Sequence, residues 1–154
     1  MKPVGVPILL TLLLAFATPV VFSQSNQVID RILQEEQLTY GSAAYLLLLA
    51  SGDQGEDITA TAAVARLAAL GAGLPDRAAN ETITLGEYSL LTMRVFDISG
   101  GIMYTILPSP RYAARELAHR RIVQGHTYPR MSLSGERGMR ILGRVLGLQE
   151  GGAL

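Results

Sequence analysis

The sequence has no cysteine and no tryptophan, and its single lysine is Lys2. Without cysteine there is no disulfide scaffold, no thiolate metal site and no residue to carry a lipoprotein anchor. Without tryptophan the broadest ring for stacking on a sugar is missing. With no lysine after residue 2, every remaining fixed positive charge is an arginine. Arginine presents a planar fork of donors matched to carboxylates and phosphates, where lysine offers a point charge. Long apolar runs are scarce as well, apart from one at the N-terminus.

That run covers 4–22 and is apolar or small except for Thr11 and Thr18, behind the positive pair Met1 and Lys2. Val21, Phe22 and Ser23 then offer modest and small side chains before Gln24. The order of charged, apolar and small-residue regions is that of a secretory signal peptide, so 1–23 is expected to be removed on export. The competing reading is an uncleaved anchor, since about 20 apolar residues span a bilayer. Pro7 and Pro19 interrupt the run and argue for cleavage. The expected mature chain, 24–154, is one domain long and must be stabilised by packing alone.

The formal net charge of zero conceals a split. From 24 to 97 there are ten acids against four arginines, a net of −6; from 98 to 154 there are three acids against eight arginines, a net of +5. Two explanations stay open. The halves attract each other within the domain, or the second half presents a surface to an anionic partner.

The hydrophobic period is helical almost throughout, which predicts an all-α fold of about six helices. Val28, Ile29, Ile32 and Leu33 mark the first. A second, over 43–50, is apolar on nearly every side and belongs in the middle of a bundle. A third covers 60–70, rich in alanine. Thr84 and Glu87 form a T-x-x-E capping box for a fourth, ending near Asp97. Residues 102–107 are apolar but too few to classify. Ser109 and Pro110 open a fifth helix over 111–123. The last runs from Gly135 to about Leu146, with Met139, Leu142, Val145 and Leu146 inward and Arg137, Arg140 and Arg144 outward.

Three helix starts share a form: an aliphatic residue, a hydroxyl cap and a glycine, at Leu38-Thr39, Ile83-Thr84 and Leu133-Ser134. Each follows another helix and a loop, giving repeats of about 26–52, 59–100 and 110–147. The stretch 114–136, with Ala114, Leu117, Gly125, Pro129, Leu133, Ser134 and Glu136, resembles the S-layer homology module, a family of tandem helix–loop–helix repeats. Ala65, Leu70, Gly71, Ile83, Thr84, Leu85, Gly86 and Glu87 carry the resemblance in the middle repeat. It implies a three-lobed helical bundle that binds cell-wall glycan. The family's "T-R-A-E" arginine is replaced here by Tyr40, Leu85 and Leu133, so the resemblance speaks more for fold than for ligand.

Catalytic and metal chemistry find little footing. His119 and His126 are separated by a glycine turn with no acid at ligand spacing. Asp53, Glu56 and Asp57 lack the order of a calcium loop. Ser134-Gly135-Glu136 lacks the strand and flanking glycine of a nucleophile turn. Glu87 and Glu136 could pair for glycan cleavage, but helix capping accounts for them more simply. Thr39, Thr84, Glu87, Ser134 and Glu136 are therefore read as structural caps.

What remains is arginine. Arg111 and Arg115 lie one turn apart at a helix start, where the dipole favours anions. With Arg121, and with Tyr112 and Tyr128 nearby, they are the expected binding residues. The expectation is a non-catalytic module of the cell envelope or periplasm, with no cofactor, no metal and no nucleic-acid partner, holding an anionic wall polymer such as peptidoglycan. The alternative is an adaptor that binds another envelope protein through its repeats.

Overall fold

The computed structural model describes residues 21–53 and 59–152. The expected signal peptide falls almost entirely outside them, as do Glu56 and Asp57. The chain divides into two compact units, 1–31 and 32–154. Among the described residues the fold is all-α with seven helices and no strand: α1 Val21–Leu33, α2 Tyr40–Ser51, α3 Ala60–Ala69, α4 Leu85–Val95, α5 Ile102–Ile106, α6 Pro110–His119 and α7 Gly135–Glu150. None of them is long and apolar enough to cross a membrane. The first unit holds most of α1, which already runs through the expected cleavage point between Ser23 and Gln24. The second unit holds the other six helices.

The hydroxyl starts set its plan. Thr39, Thr84 and Ser134 are N-caps in extended conformation, each accepting the N–H three residues on. Such caps satisfy donors that the first helical turn leaves open, each contributing about 1 kcal/mol. The residues before them, Leu38, Ile83 and Leu133, are at most 1% exposed. These segments hold one another directly. The Leu38 N–H donates to the Leu133 carbonyl at 2.6 Å, and the Ile83 N–H donates to the Leu38 carbonyl at 2.9 Å. Isolated bridges join Thr39 to Thr82 and Thr84 to Ser132.

From this hub α2, α4 and α7 run out, with α2 packed on both α4 and α7. The heaviest packing joins α2 to α3 and α4 to α6, so α2 forms a hairpin with the helix after it and α4 forms one with α6, across the short α5. The core is aliphatic with two tyrosines: Tyr40, Leu47, Leu67, Leu85, Tyr88, Leu91, Leu117 and Val145 are fully buried. Tyr88 spends its hydroxyl on the Gly138 carbonyl at 3.0 Å, and burial raises its pKa.

The second helices of the two hairpins end alike. In α3, Gly71 has φ +70°, and Ala72 donates back to the Leu67 carbonyl at 3.0 Å; in α6, Arg121 has φ +60°, and Ile122 donates to the Leu117 carbonyl at 2.9 Å. Both are Schellman motifs, in which a left-handed residue reverses the chain. The fifth predicted helix therefore stops at His119, short of Val123, because apolar Ile122 and Val123 turn back under α6 and are buried. Residues 102–107 resolve into a short helix, α5, started by Gly101 and lying against α6.

One cap assignment needs correction. Glu136 is the second residue of α7, with Arg137 at the third, so it is out of reach of a capping box. It is an acidic first-turn residue, 68% exposed at its side chain, that meets Arg140 at 3.4 Å. At Thr39 the position of the capping acid is held by Ser42. Glu35 takes over from the preceding turn, accepting the Thr39 N–H at 3.0 Å and the Ser42 hydroxyl at 2.6 Å. Thr84 and Glu87 do form a full capping box, with Arg77 3.3 Å from the same Glu87 oxygen.

Candidate functional site

The ion pairs locate the arginines that are left over. Arg66 pairs with Asp53, Arg77 with Glu81 and Glu87, Arg120 with Glu116, and Arg140 with Glu136. Each pair lies within one half of the chain, so no direct ion pair among the described residues joins the acidic half to the basic half. Arg137 and Arg144, expected to face outward, turn instead to the loop before α7. Arg144 donates to the Ile122 carbonyl at 3.0 Å, and Arg137 donates to the carbonyls of Gln124 and His126. Partial burial and the charges of Arg140 and Arg144 lower the Arg137 pKa. Those two arginines are structural.

Arg111, Arg115, Arg121 and Arg130 are exposed, and their guanidinium groups have no hydrogen-bond or ion-pair partner among the described residues. Gly86 brings most of them together. It is the second residue of α4, and its N–H donates to the Pro129 carbonyl at 2.8 Å. A Cβ at this position would lie 2.9 Å from that carbonyl oxygen and 3.0 Å from both Cβ and O of Pro110. The start of α6 and the 128–130 loop thus converge on the spot where position 86 has no side chain. Arg111 and Tyr112 follow Pro110 directly, and Tyr128 and Arg130 flank Pro129. Tyr128 is 79% exposed, whereas Tyr112 is half-buried.

Arg115 stands one turn beyond Arg111 on the same side of α6. Arg121 does not join this group. It lies past the other end of the helix, about 15 Å away along a ten-residue axis. Arg130 and Arg111 thus stand near one end of α6, Arg115 near its middle and Arg121 past the other end. The sequence alone gives no reason to group Arg130 with the others, because nothing local signals that residue 130 approaches residue 111. They are brought together through Gly86.

A groove of about 550 Å³ lies between the ends of α3 and α4 and the short α5, lined by Leu70, Met93, Arg94, Asp97, Tyr104 and Pro108 among others. Arg94 is already committed to the Gly73 carbonyl at 2.9 Å. Burial raises the Tyr104 pKa, and the positive charge of Arg94 opposes that rise. Neither constellation brings together a nucleophile and a base. The Ser134 hydroxyl accepts the Arg137 N–H at 3.4 Å, as a cap does, and His119 and His126 are exposed. Among the described residues no three histidine or acidic side chains stand close enough to hold a metal ion.

No family model, no curated protein and no solved structure matches the chain.

Proposed function

We propose that the chain is an exported, non-catalytic module of the cell envelope that holds an anionic wall polymer, such as peptidoglycan, along α6. The carrying observation is the set of exposed arginines at 111, 115 and 130, without side-chain partners among the described residues, on two segments that meet at Gly86, one of which also bears the open ring of Tyr128. Charged side chains left without partners in the fold are free to meet an outside anion, and Tyr128 can lie against a sugar face.

Two further observations support the reading. Arg121 stands at φ +60°, where Gly71 stands in the other hairpin. A non-glycine residue in that region carries about 1 kcal/mol or more of strain, and strain of that kind collects at functional positions. The distance between the ends of α6 suits an extended polymer better than a small molecule.

The S-layer homology-like architecture, three repeats around one hub, is part of the proposal. Its support is the recurrent geometry. Tyr40 donates to the Glu81 carbonyl at 2.7 Å, Leu85 to Met131 at 2.9 Å and Gly135 to Glu35 at 2.9 Å, always from the first residue after the cap. Gly41 also meets Ala60 and Ala79 as Gly86 meets Pro110 and Pro129.

The test is co-sedimentation with purified wall sacculi, comparing the native protein with Arg111→Gln/Arg115→Gln. Binding is expected to fall in the double variant and with rising salt, because exposed charges are screened over about 8 Å at physiological ionic strength. Thermal stability should stay within about 0.5 kcal/mol of native, as for surface changes that break no contact. Salt-insensitive binding, or binding unchanged in the variant, would refute the proposal.

A further inference from the structure

The short helix α5 has no buried residue. Ile102 is 76% exposed, Met103 61%, Ile106 74% and the following Leu107 60%. Their spacing places all four on one stripe of the helix. Tyr104 lies on the other side, its ring against Gly100, and the Thr105 hydroxyl is turned to the Gly101 carbonyl at 3.2 Å. The helix is therefore held with its apolar stripe outward. The holding contacts are specific. The Gly101 N–H donates to Glu116 at 3.1 Å, and Arg120 bridges Glu116 and the Ser99 carbonyl at 3.0 and 2.5 Å. Concentrated apolar exposure of this kind marks a contact surface.

We infer that the α5 stripe, Ile102, Met103, Ile106 and Leu107, seats on an anionic lipid surface, with Arg111 and Arg115 meeting the headgroup phosphates. Size and charge select this occupant. A five-residue helix is about 7.5 Å long and about 10 Å across, a footprint far below the roughly 800 Å² per partner of a stable protein–protein interface. A bilayer needs only a few inserted side chains beside cationic ones. A second copy is disfavoured by charge. A two-fold contact sets the same patch against itself and brings Arg111 and Arg115 of two chains together. These arginines stand shortly after α5, on the helix α5 packs against, and their side chains have no partner among the described residues. The inference stands apart from wall binding, although both use Arg111 and Arg115.

The natural absence of tryptophan gives a site-specific probe. Met103→Trp places one fluorophore on the stripe, and Ala65→Trp places one on the exposed side of α3 as a control. Each variant is mixed with vesicles of phosphatidylcholine alone or with added phosphatidylglycerol. The expected result is a blue shift of the Met103→Trp emission with the phosphatidylglycerol vesicles, smaller with phosphatidylcholine and smaller at high salt. The Ala65→Trp emission should not shift. Adding Ile102→Ser/Ile106→Ser should weaken vesicle partitioning by about tenfold or more, since two large apolar side chains no longer enter the bilayer. Sacculus binding by that serine variant should persist, which separates failure of this inference from failure of the wall reading. No shift with any vesicle, or equal shifts in the two tryptophan variants, would overturn it. So would a shift that needs no lipid and grows with protein concentration, which would make the stripe an interface between copies.

Discussion

Helix α7 carries glycines at 135, 138, 143 and 147, and the structure assigns the first and third opposite fates under the same substitution. Gly135 is the first residue of the helix, and its N–H donates to the Glu35 carbonyl at 2.9 Å. A Cβ there would run into the Ile32 carbonyl, a backbone atom that cannot rotate away. Gly143 is exposed, with nothing within 4 Å of an added Cβ. Intrinsic propensity favours alanine at an interior helical position by about 0.8–1.0 kcal/mol. At 143 nothing opposes that gain. At 135 the backbone must separate, the bond to Glu35 stretches, and overpacking of this kind costs about 1–3 kcal/mol or more.

Gly143→Ala should therefore stabilise by nearly 1 kcal/mol, a rise in Tm of about 3–5 °C at this chain length. Gly135→Ala should destabilise by at least about 2 kcal/mol. Urea unfolding followed by circular dichroism reads both, with the slope unchanged if the native and denatured states keep their compactness. The pair controls itself, because one substitution in one helix is asked to give opposite signs. A neutral or stabilising Gly135→Ala would show that α7 does not abut the 32–35 segment, and the hub would have to be redrawn.

Arg121→Gly relieves the left-handed strain at the end of α6 and should stabilise by about 0.5–1 kcal/mol while weakening sacculus binding, read by thermal melts and co-sedimentation; stabilisation without loss of binding would remove Arg121 from the surface. For Glu116, burial pushes its pKa up, but hydrogen bonds from Arg120 and the Gly101 N–H, with the charges of Arg120 and His119, outweigh it and hold the carboxyl below its usual range. A depressed acid stabilises the fold above its unfolded value of about 4.3 and loses that contribution as pH falls through the lower folded value. Protection of the Gly101 amide, taken relative to the intrinsic exchange rate at each pH, should therefore fall as pH drops below the usual carboxylate range, and Glu116→Gln should lack this step.

The helical class and the three hydroxyl starts are legible because their chemistry is local. A hydroxyl before a helix satisfies donors two or three residues away, so Thr39, Thr84 and Ser134 show themselves in a short window. Glu35 does not, since the sequence pattern looks for a capping acid at the third helical position and that position is Ser42. The end of α6 is hidden for a related reason. An arginine gives no sign of a left-handed residue, whereas Gly71 at the like place in α3 does. Helix α5 is illegible because five residues carry too little period to separate a buried strand from an exposed helix, and here the apolar stripe is not buried at all.

The binding surface divides along the same line. A helix start followed by Arg111 and Arg115 can be read from the chain, but whether an arginine is free depends on what it meets in space. The charge split makes Arg137 and Arg144 equal candidates with Arg111, yet those two are taken up by carbonyls of the 122–126 loop. The loop needs them: once Ile122 and Val123 fold under α6, their carbonyls and those that follow are left without helical donors. Arginine supplies several donors from one side chain, so two residues of α7 staple the whole turn. The absence of lysine then has two explanations in one protein. At 137 and 144 the guanidinium fork is needed inside, to satisfy backbone that a lysine could hold at fewer points. At 111, 115, 121 and 130 it is turned outward with no partner among the described residues, and the same geometry that binds two carbonyls is left open to the oxygens of an anionic ligand.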